Sequence, residues 1–225
     1  MSKNAPFKNI AVIGAGTMGS GIAGQIANSE QEVLLLDIPG KTPNSITEDA
    51  VKKLIRSDPP ALMHKNKANL IKVGNIRDDF NKLANCDLII EAVVERLDIK
   101  KDLYNRINNI VNSKCVITSN TSTIPIKLLV EDMPQSFRER FAITHYFNPV
   151  RFMRLLELVR GEHTKSEIIK KLADYNDRIL GKGVVACNDT PGFLGNRVGV
   201  YALQVGMDEA YKLNLTVEEA DSLMG

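Results

Sequence analysis

Residues 14–19 read Gly-Ala-Gly-Thr-Met-Gly and lie directly after the apolar run KNIAVI and directly before a segment with helical periodicity. No other feature limits the possible folds as strongly. A strand must pass into a helix through a turn with almost no side-chain bulk, and the helix N-terminus is left open to an anion. In such a turn Gly14 permits the tight bend, Gly16 lets a pyrophosphate reach the backbone, and Gly19 allows the helix to pack closely on the strand, with Thr17 and Met18 completing the loop. A second apolar run, Val33-Leu34-Leu35-Leu36, ends in Asp37, near the offset of about twenty residues at which an acid receives the ribose hydroxyls of a dinucleotide. Asp37 would repel a 2′-phosphate, so NAD is the expected cofactor rather than NADP. The competing reading is that the glycines serve only strand-to-helix packing.

Short apolar runs and amphipathic segments alternate along the rest of the chain. Strands are predicted at 9–13, 32–37, 74–76, 87–94, 115–119, 141–145 and 155–159, and helices at Thr17–Asn28, 99–111 and 165–180. Strands separated by helices require crossover connections, which give a mainly parallel sheet covered on both faces. The fold class is therefore α/β: a doubly wound, mainly parallel, Rossmann-type sheet. Residues 44–72, rich in lysine and broken by Asp58-Pro59-Pro60, are predicted to form a helical hairpin projecting from that sheet. After Asp189-Thr190-Pro191-Gly192 the pattern changes to a long helix, and Thr216-Val217-Glu218-Glu219 is a capping box opening another. The expected division is a dinucleotide-binding domain at 1–188 and the opening of an all-α domain, apparently truncated, at 189–225.

Composition mainly excludes alternatives. With 225 residues, 44% of them apolar, the chain can bury a substantial core. Its 29 basic and 27 acidic residues form no dominant block, so neither nucleic acid nor an anionic membrane surface is an expected partner. No apolar run reaches membrane-spanning length and the N-terminus lacks the core of a signal peptide, which points to the cytoplasm. Cys86, Cys115 and Cys187 are odd in number and far apart, so buried thiols are expected rather than disulfides, and no metal site.

The carboxyl ends of parallel strands are where ligands lie in open sheets, and the polar residues at those ends are informative. Glu95 and Lys100 follow the strand IIEAVV, and they are either ligand contacts or solvated groups at a helix start. Ser119-Asn120-Thr121-Ser122-Thr123 follows CVIT, where hydroxyls either cap a helix or touch a ligand. His145 ends FAIT, and Glu157 interrupts the apolar run Leu155-Leu156-Glu157-Leu158-Val159. A carboxylate in a core strand needs a partner. Glu157 bonded to the imidazole would fix its tautomer and stabilise the imidazolium formed when His145 removes a proton from an alcohol. The alternative is a Glu157 paired with Arg154 or Arg160 and a His145 that merely caps a strand. His64 and His163 lie among polar residues and are expected to be solvated.

Taken together, GAGTMGSGIA, EAVVERLDIKK, SNTST, HYFNPV with LLELV, and DTPGFLGNR resemble the L-3-hydroxyacyl-CoA dehydrogenase family from about residue 7 to the last residue. The resemblance implies reversible NAD-dependent oxidation of a 3-hydroxyacyl-CoA, with His145 as base, Glu157 as its acid partner, and Ser122 and Asn196 holding the reacting oxygen. It also implies Glu95 and Lys100 near the nicotinamide, the 44–72 segment with Lys53 near the CoA, and a homodimer built through the helical domain. Two rivals are a dehydrogenase of a free 3-hydroxy acid and a non-catalytic NAD-binding protein.

Overall fold

The computed structural model describes residues 5–224. Eight strands, β1 (Ile10–Ile13), β2 (Val33–Asp37), β3 (Ile71–Asn75), β4 (Leu88–Glu91), β5 (Val116–Ser119), β6 (Phe141–Tyr146), β7 (Leu155–Arg160) and β8 (Gly183–Cys187), form one sheet in the order 3-2-1-4-5-6-7-8. The helices are α1 (Thr17–Asn28), α2 (Ser45–Arg56), α3 (Leu97–Asn108), the short α4 (Ile126–Val130) and α5 (Gln135–Arg138), α6 (Ser166–Asp174), and then α7 (Gly195–Lys212) and α8 (Val217–Met224) after the last strand.

The strands are apolar on successive residues, because successive side chains enter opposite faces and both faces are covered. In β1, Ile10 and Val12 join the core beneath α1 and α2 with Ile22, Ile26, Leu35 and Leu54, while Ala11 and Ile13 join Leu103, Tyr104, Phe137 and Phe141 on the other side. Each fully buried Leu, Ile or Phe contributes about 1.5–3 kcal/mol. From β1 the chain winds outward to β2 and β3, then returns to pair β4 on the other side of β1. The strand order therefore reverses between β1 and β4, which opens a crevice at their carboxyl ends.

All neighbouring strands are parallel except β6 and β7, which run antiparallel with His145 directly opposite Glu157. Residues 147–154 connect them, too few for a helical crossover, so the chain turns back. The strand β8, not anticipated from the sequence, then adds in parallel to β7.

The projecting hairpin is not formed. Residues 44–72 contain one helix, α2, an irregular stretch around Pro59 and Pro60, and a 3-10 turn at Lys65–Leu70 leading into β3. Thr47, Ala50 and Leu54 are buried, and α2 packs on α1 and the sheet as an ordinary crossover helix. The two prolines remove the amide donors that a second helix would need, and the lysines lie on the solvent face. The 165–180 helix is present but widens into a π-helical turn at Tyr175–Ile179.

No residue of α7 is buried, and Val198, Val200, Tyr201, Leu203, Met207 and Tyr211 are exposed. The capping box before α8 forms as expected: the Glu219 amide donates to the Thr216 hydroxyl, and the Thr216 amide donates to the Glu219 carboxylate. Among the described residues, no helix is long and apolar enough to cross a membrane. His163 is exposed, as is His64, which accepts a hydrogen bond from the Asn66 amide.

Candidate active site

Gly14 has a φ of 104°, and a Cβ there would lie 2.4 Å from the Ala92 carbonyl oxygen at the end of β4. A Cβ on Gly19 would lie 1.8 Å from the Gly14 oxygen, so the turn closes only with glycine at both places. Gly16 is different: among the described residues, no atom other than those of its chain neighbours lies within 4 Å of a Cβ built there. Its open face is the one a pyrophosphate would approach, at the N-terminus of α1. The Asp37 carboxylate accepts hydrogen bonds from the Ala15 amide at 2.5 Å and the Ile38 amide at 2.6 Å, which fixes it against the loop. These residues fit a dinucleotide whose ribose hydroxyls donate to Asp37.

A cavity of about 350 Å³ lies at the carboxyl ends of β4, β5 and β6, lined by Met18, Glu95, Lys100, Ser122, His145 and Asn196 among others. Six of the residues singled out from the sequence thus meet in one place. Asn148 also lines a second cavity of about 710 Å³, with Gly16, Thr17, Lys53 and Arg151.

The antiparallel register of β6 and β7 places the Glu157 carboxylate 2.7 Å from the His145 Nδ1. Glu157 is fully buried, and its other oxygen accepts from the Leu194 amide at 2.9 Å and the Gly195 amide at 2.6 Å, the first amides of α7. The acid thus holds an imidazole with one oxygen and a helix N-terminus with the other. Neither Arg154 nor Arg160 is its partner; Arg160 donates instead to the Thr164 carbonyl. The His145 ring packs edge-on against Phe147 and Phe193, at 4.6 and 5.6 Å between centroids. A Cβ on Gly195 would lie 2.9 Å from the Phe147 ring, so the close seating of α7 beside Glu157 requires glycine. Asn196 follows in the first turn of α7, and the Gly192 amide donates to the Ser122 carbonyl.

Glu91 was not singled out from the sequence, because it sits inside an apolar strand with no neighbouring charge to mark it. It is fully buried at the end of β4. One oxygen accepts from the Lys100 ammonium at 2.6 Å and the Val93 amide at 2.8 Å; the other accepts from the Tyr104 hydroxyl at 2.6 Å and the Ser119 hydroxyl at 2.7 Å. Burial and the Glu91 charge push the Tyr104 hydroxyl well above its ordinary range, so it remains a donor. Lys100 also lies 3.3 Å from Glu95, which accepts hydrogen bonds from Thr121 and Thr123. Burial, the largest single influence, raises the Glu95 carboxyl, but the two threonine hydroxyls and the Lys100 charge together hold it below its usual value. Glu95 is thus ionised at neutral pH.

The family of 3-hydroxyacyl-CoA dehydrogenase NAD-binding domains matches residues 9–190. Among curated relatives, a putative fatty acid oxidation complex trifunctional enzyme of Rickettsia felis is 44% identical over 96% of this chain, which spans 31% of that protein. A probable 3-hydroxyacyl-CoA dehydrogenase of Deinococcus radiodurans is 42% identical over 97% of this chain, which spans 64% of that protein. Among solved structures, 3-hydroxybutyryl-CoA dehydrogenase from Escherichia coli is 33% identical, with a TM-score of 0.74, over 85% of this chain and 40% of the other. The chain thus spans from under a third to just under two thirds of the length of these curated relatives. With NAD as cofactor, and with a glycine turn and an acid that fit it, the chain belongs to the 3-hydroxyacyl-CoA dehydrogenase family through its NAD-binding domain.

Proposed function

We propose that the chain carries the hydride-transfer site of an (S)-3-hydroxyacyl-CoA dehydrogenase of fatty-acid or short-chain acyl-CoA metabolism. The observation that supports this most is the 2.7 Å contact between His145 and a fully buried Glu157 in a cavity shared with Ser122 and Asn196. With Nδ1 held by the acid, the imidazole presents Nε2 to the cavity as an unprotonated base. His145 takes the proton of the substrate 3-hydroxyl, and Glu157 stabilises the imidazolium. Ser122 and Asn196 hold the reacting oxygen. When bound, NAD accepts the hydride from the substrate carbon. Glu95 and Lys100 would lie beside the nicotinamide, and Gly14, Gly16, Thr17, Met18, Gly19 and Asp37 would hold the rest of the cofactor. Lys53, exposed on α2 and lining the second cavity together with Gly16, suits a CoA phosphate.

We read residues 1–188 as the NAD-binding domain and 189–225 as the opening of a helical one, a division supported by the lack of buried residues in α7. The apolar face of α7 suits further helices of that domain or a second copy, in keeping with a homodimer. Three free thiols fit the reducing cytoplasm. The test is loss of reduced-nicotinamide absorbance with NADH and acetoacetyl-CoA, run beside NADH and free acetoacetate. Turnover of the thioester alone upholds the reading. Turnover of the free acid alone favours a hydroxyacid dehydrogenase, and NADH binding without any turnover a non-catalytic role.

A further inference from the structure

Among the residues lining the smaller cavity, Glu95, Lys100 and His145 are those that carry or readily acquire charge. Lys100 is almost wholly buried, so water screens its ammonium little, and its closest partner, Glu91, lies behind it, within the protein. Both oxygens of Glu91 are already taken by protein donors, with Tyr104, Ser119 and the Val93 amide completing the set. Glu91 does not line the cavity, and it has no free lone pair to offer a ligand. Its effect on the site is through Lys100. It fixes the ammonium in place and cancels its charge, so the single charge left unbalanced in this cluster is the carboxylate of Glu95. The oxidised nicotinamide ring is a cation and the reduced ring is neutral, so a wall with one net negative charge holds the two forms unequally.

We propose that Glu91 is a positioning and charge-balancing residue: by neutralising Lys100 from behind, it leaves the cavity wall negative through Glu95 and biases the site toward the oxidised cofactor. The inference rests on the reading that the nicotinamide half occupies this cavity.

The experiment measures the dissociation constants of NADH, by its fluorescence, and of NAD+, by competition, and compares their ratio across variants of this chain. Glu91→Gln leaves Lys100 to cancel Glu95 and should shift the ratio against NAD+ by roughly three- to tenfold. Glu95→Gln, on an exposed side chain, should shift it in the same direction without threatening the fold. The double variant Glu91→Gln/Lys100→Met removes both charges of the buried pair, and its ratio should return to that of the parent even if both affinities fall. Tyr104→Phe removes a hydrogen bond from Glu91 but no charge, and should leave the ratio unmoved. If Glu91 is merely structural, Glu91→Gln weakens both forms alike. An unmoved ratio in Glu95→Gln, or a double variant no different from Glu91→Gln alone, overturns the inference. Failure of the parent chain to bind either form overturns the cofactor reading beneath it.

Discussion

Glu91 and Glu157 are both fully buried carboxylates at the ligand-binding edge of the same sheet, one on β4 and the other on β7. Glu91 is matched by a permanent cation, and all of its acceptor sites are met by the protein. Glu157 is matched by an imidazole, whose charge depends on a proton, and by two amides of a helix that follows the sheet. The first arrangement has one state, and it can fix geometry and balance charge but not move a proton. The second has two, because an imidazole held at Nδ1 still has a far nitrogen that can take up a proton. Two carboxylates of equal burial thus take different roles according to whether the partner is an ammonium or an imidazole with a second ring nitrogen free to act as a base.

The sharpest way to break this comparison is at the titrating partner. His145→Gln removes the base, and thioester turnover should fall by about 10²–10⁴-fold while NADH affinity is unchanged. Glu157→Gln should impair turnover to a similar degree for a different reason. The amide oxygen can still accept from Leu194 and Gly195, but its NH₂ then faces Nδ1 and forces the tautomer in which Nε2 carries the proton. Steady-state turnover and a melting curve check both. Lost melting temperature with retained turnover in Glu157→Gln would make that acid a structural group only.

The one-state pair should fail differently. Lys100→Met alone leaves Glu91 buried without its cation and should reduce stability by about 3–5 kcal/mol, read by denaturant unfolding. Removing both charges together should restore most of that loss. If Lys100→Met unfolds no more easily than the parent, Glu91 is not held as an ion at all.

Much of this was legible in the sequence because backbone geometry left a mark on residue type. The turn at Gly14 admits no side chain, Asp37 ends a strand at a fixed offset, and Glu157 contradicts the apolar pattern around it. Glu91 contradicts its strand in the same way, but its partners come from α3 and β5, nine to twenty-eight positions away, and nothing local announces them. The reversal between β6 and β7 was readable only from the short 147–154 link, not from periodicity, which is the same for either direction. A projecting hairpin cannot be told from the observed structure by pattern, because α2 and the lysines after it carry a solvent-facing pattern that a packed crossover helix and a 3-10 turn share with a hairpin. The aromatic contacts of His145 with Phe193 depend on a turn in which Phe193 adopts a φ of 42°, which its residue type does not signal.

A third buried charge tests the rule from the opposite side. Lys182 is almost fully buried and donates to the Val150 and Met153 carbonyls, with no carboxylate beside it. Burial pushes its ammonium down to about 8 from an ordinary value of 10.5. Between those values the unfolded chain binds the proton and the folded chain does not, so folding stability should rise with pH across that window. Below pH 8 both states are charged and the full desolvation cost is present. Relative to Lys182→Met, the parent should gain up to about 3 kcal/mol between pH 8 and 10.5, measured as unfolding free energy at several pH values. A flat difference would mean that the two carbonyls compensate the charge as well as a carboxylate does.

The smallest effect is expected where Glu157 meets α7. Gly195→Ala adds one methyl group 2.9 Å from the Phe147 ring and 3.5 Å from the Glu157 carboxylate. The added bulk should destabilise the chain by about 1–2 kcal/mol and push the first turn of α7 away from the sheet. The Leu194 and Gly195 amides would then retreat from Glu157, and Asn196 would retreat with them from the cavity. Turnover should fall more than stability alone explains, and the low-field proton resonance of the His145–Glu157 hydrogen bond should move. Glu91 bonds to Lys100, Tyr104 and Ser119 and not to α7, so the NADH and NAD+ dissociation constants should keep their ratio. A shifted ratio in Gly195→Ala would show that the two carboxylates are coupled rather than independent.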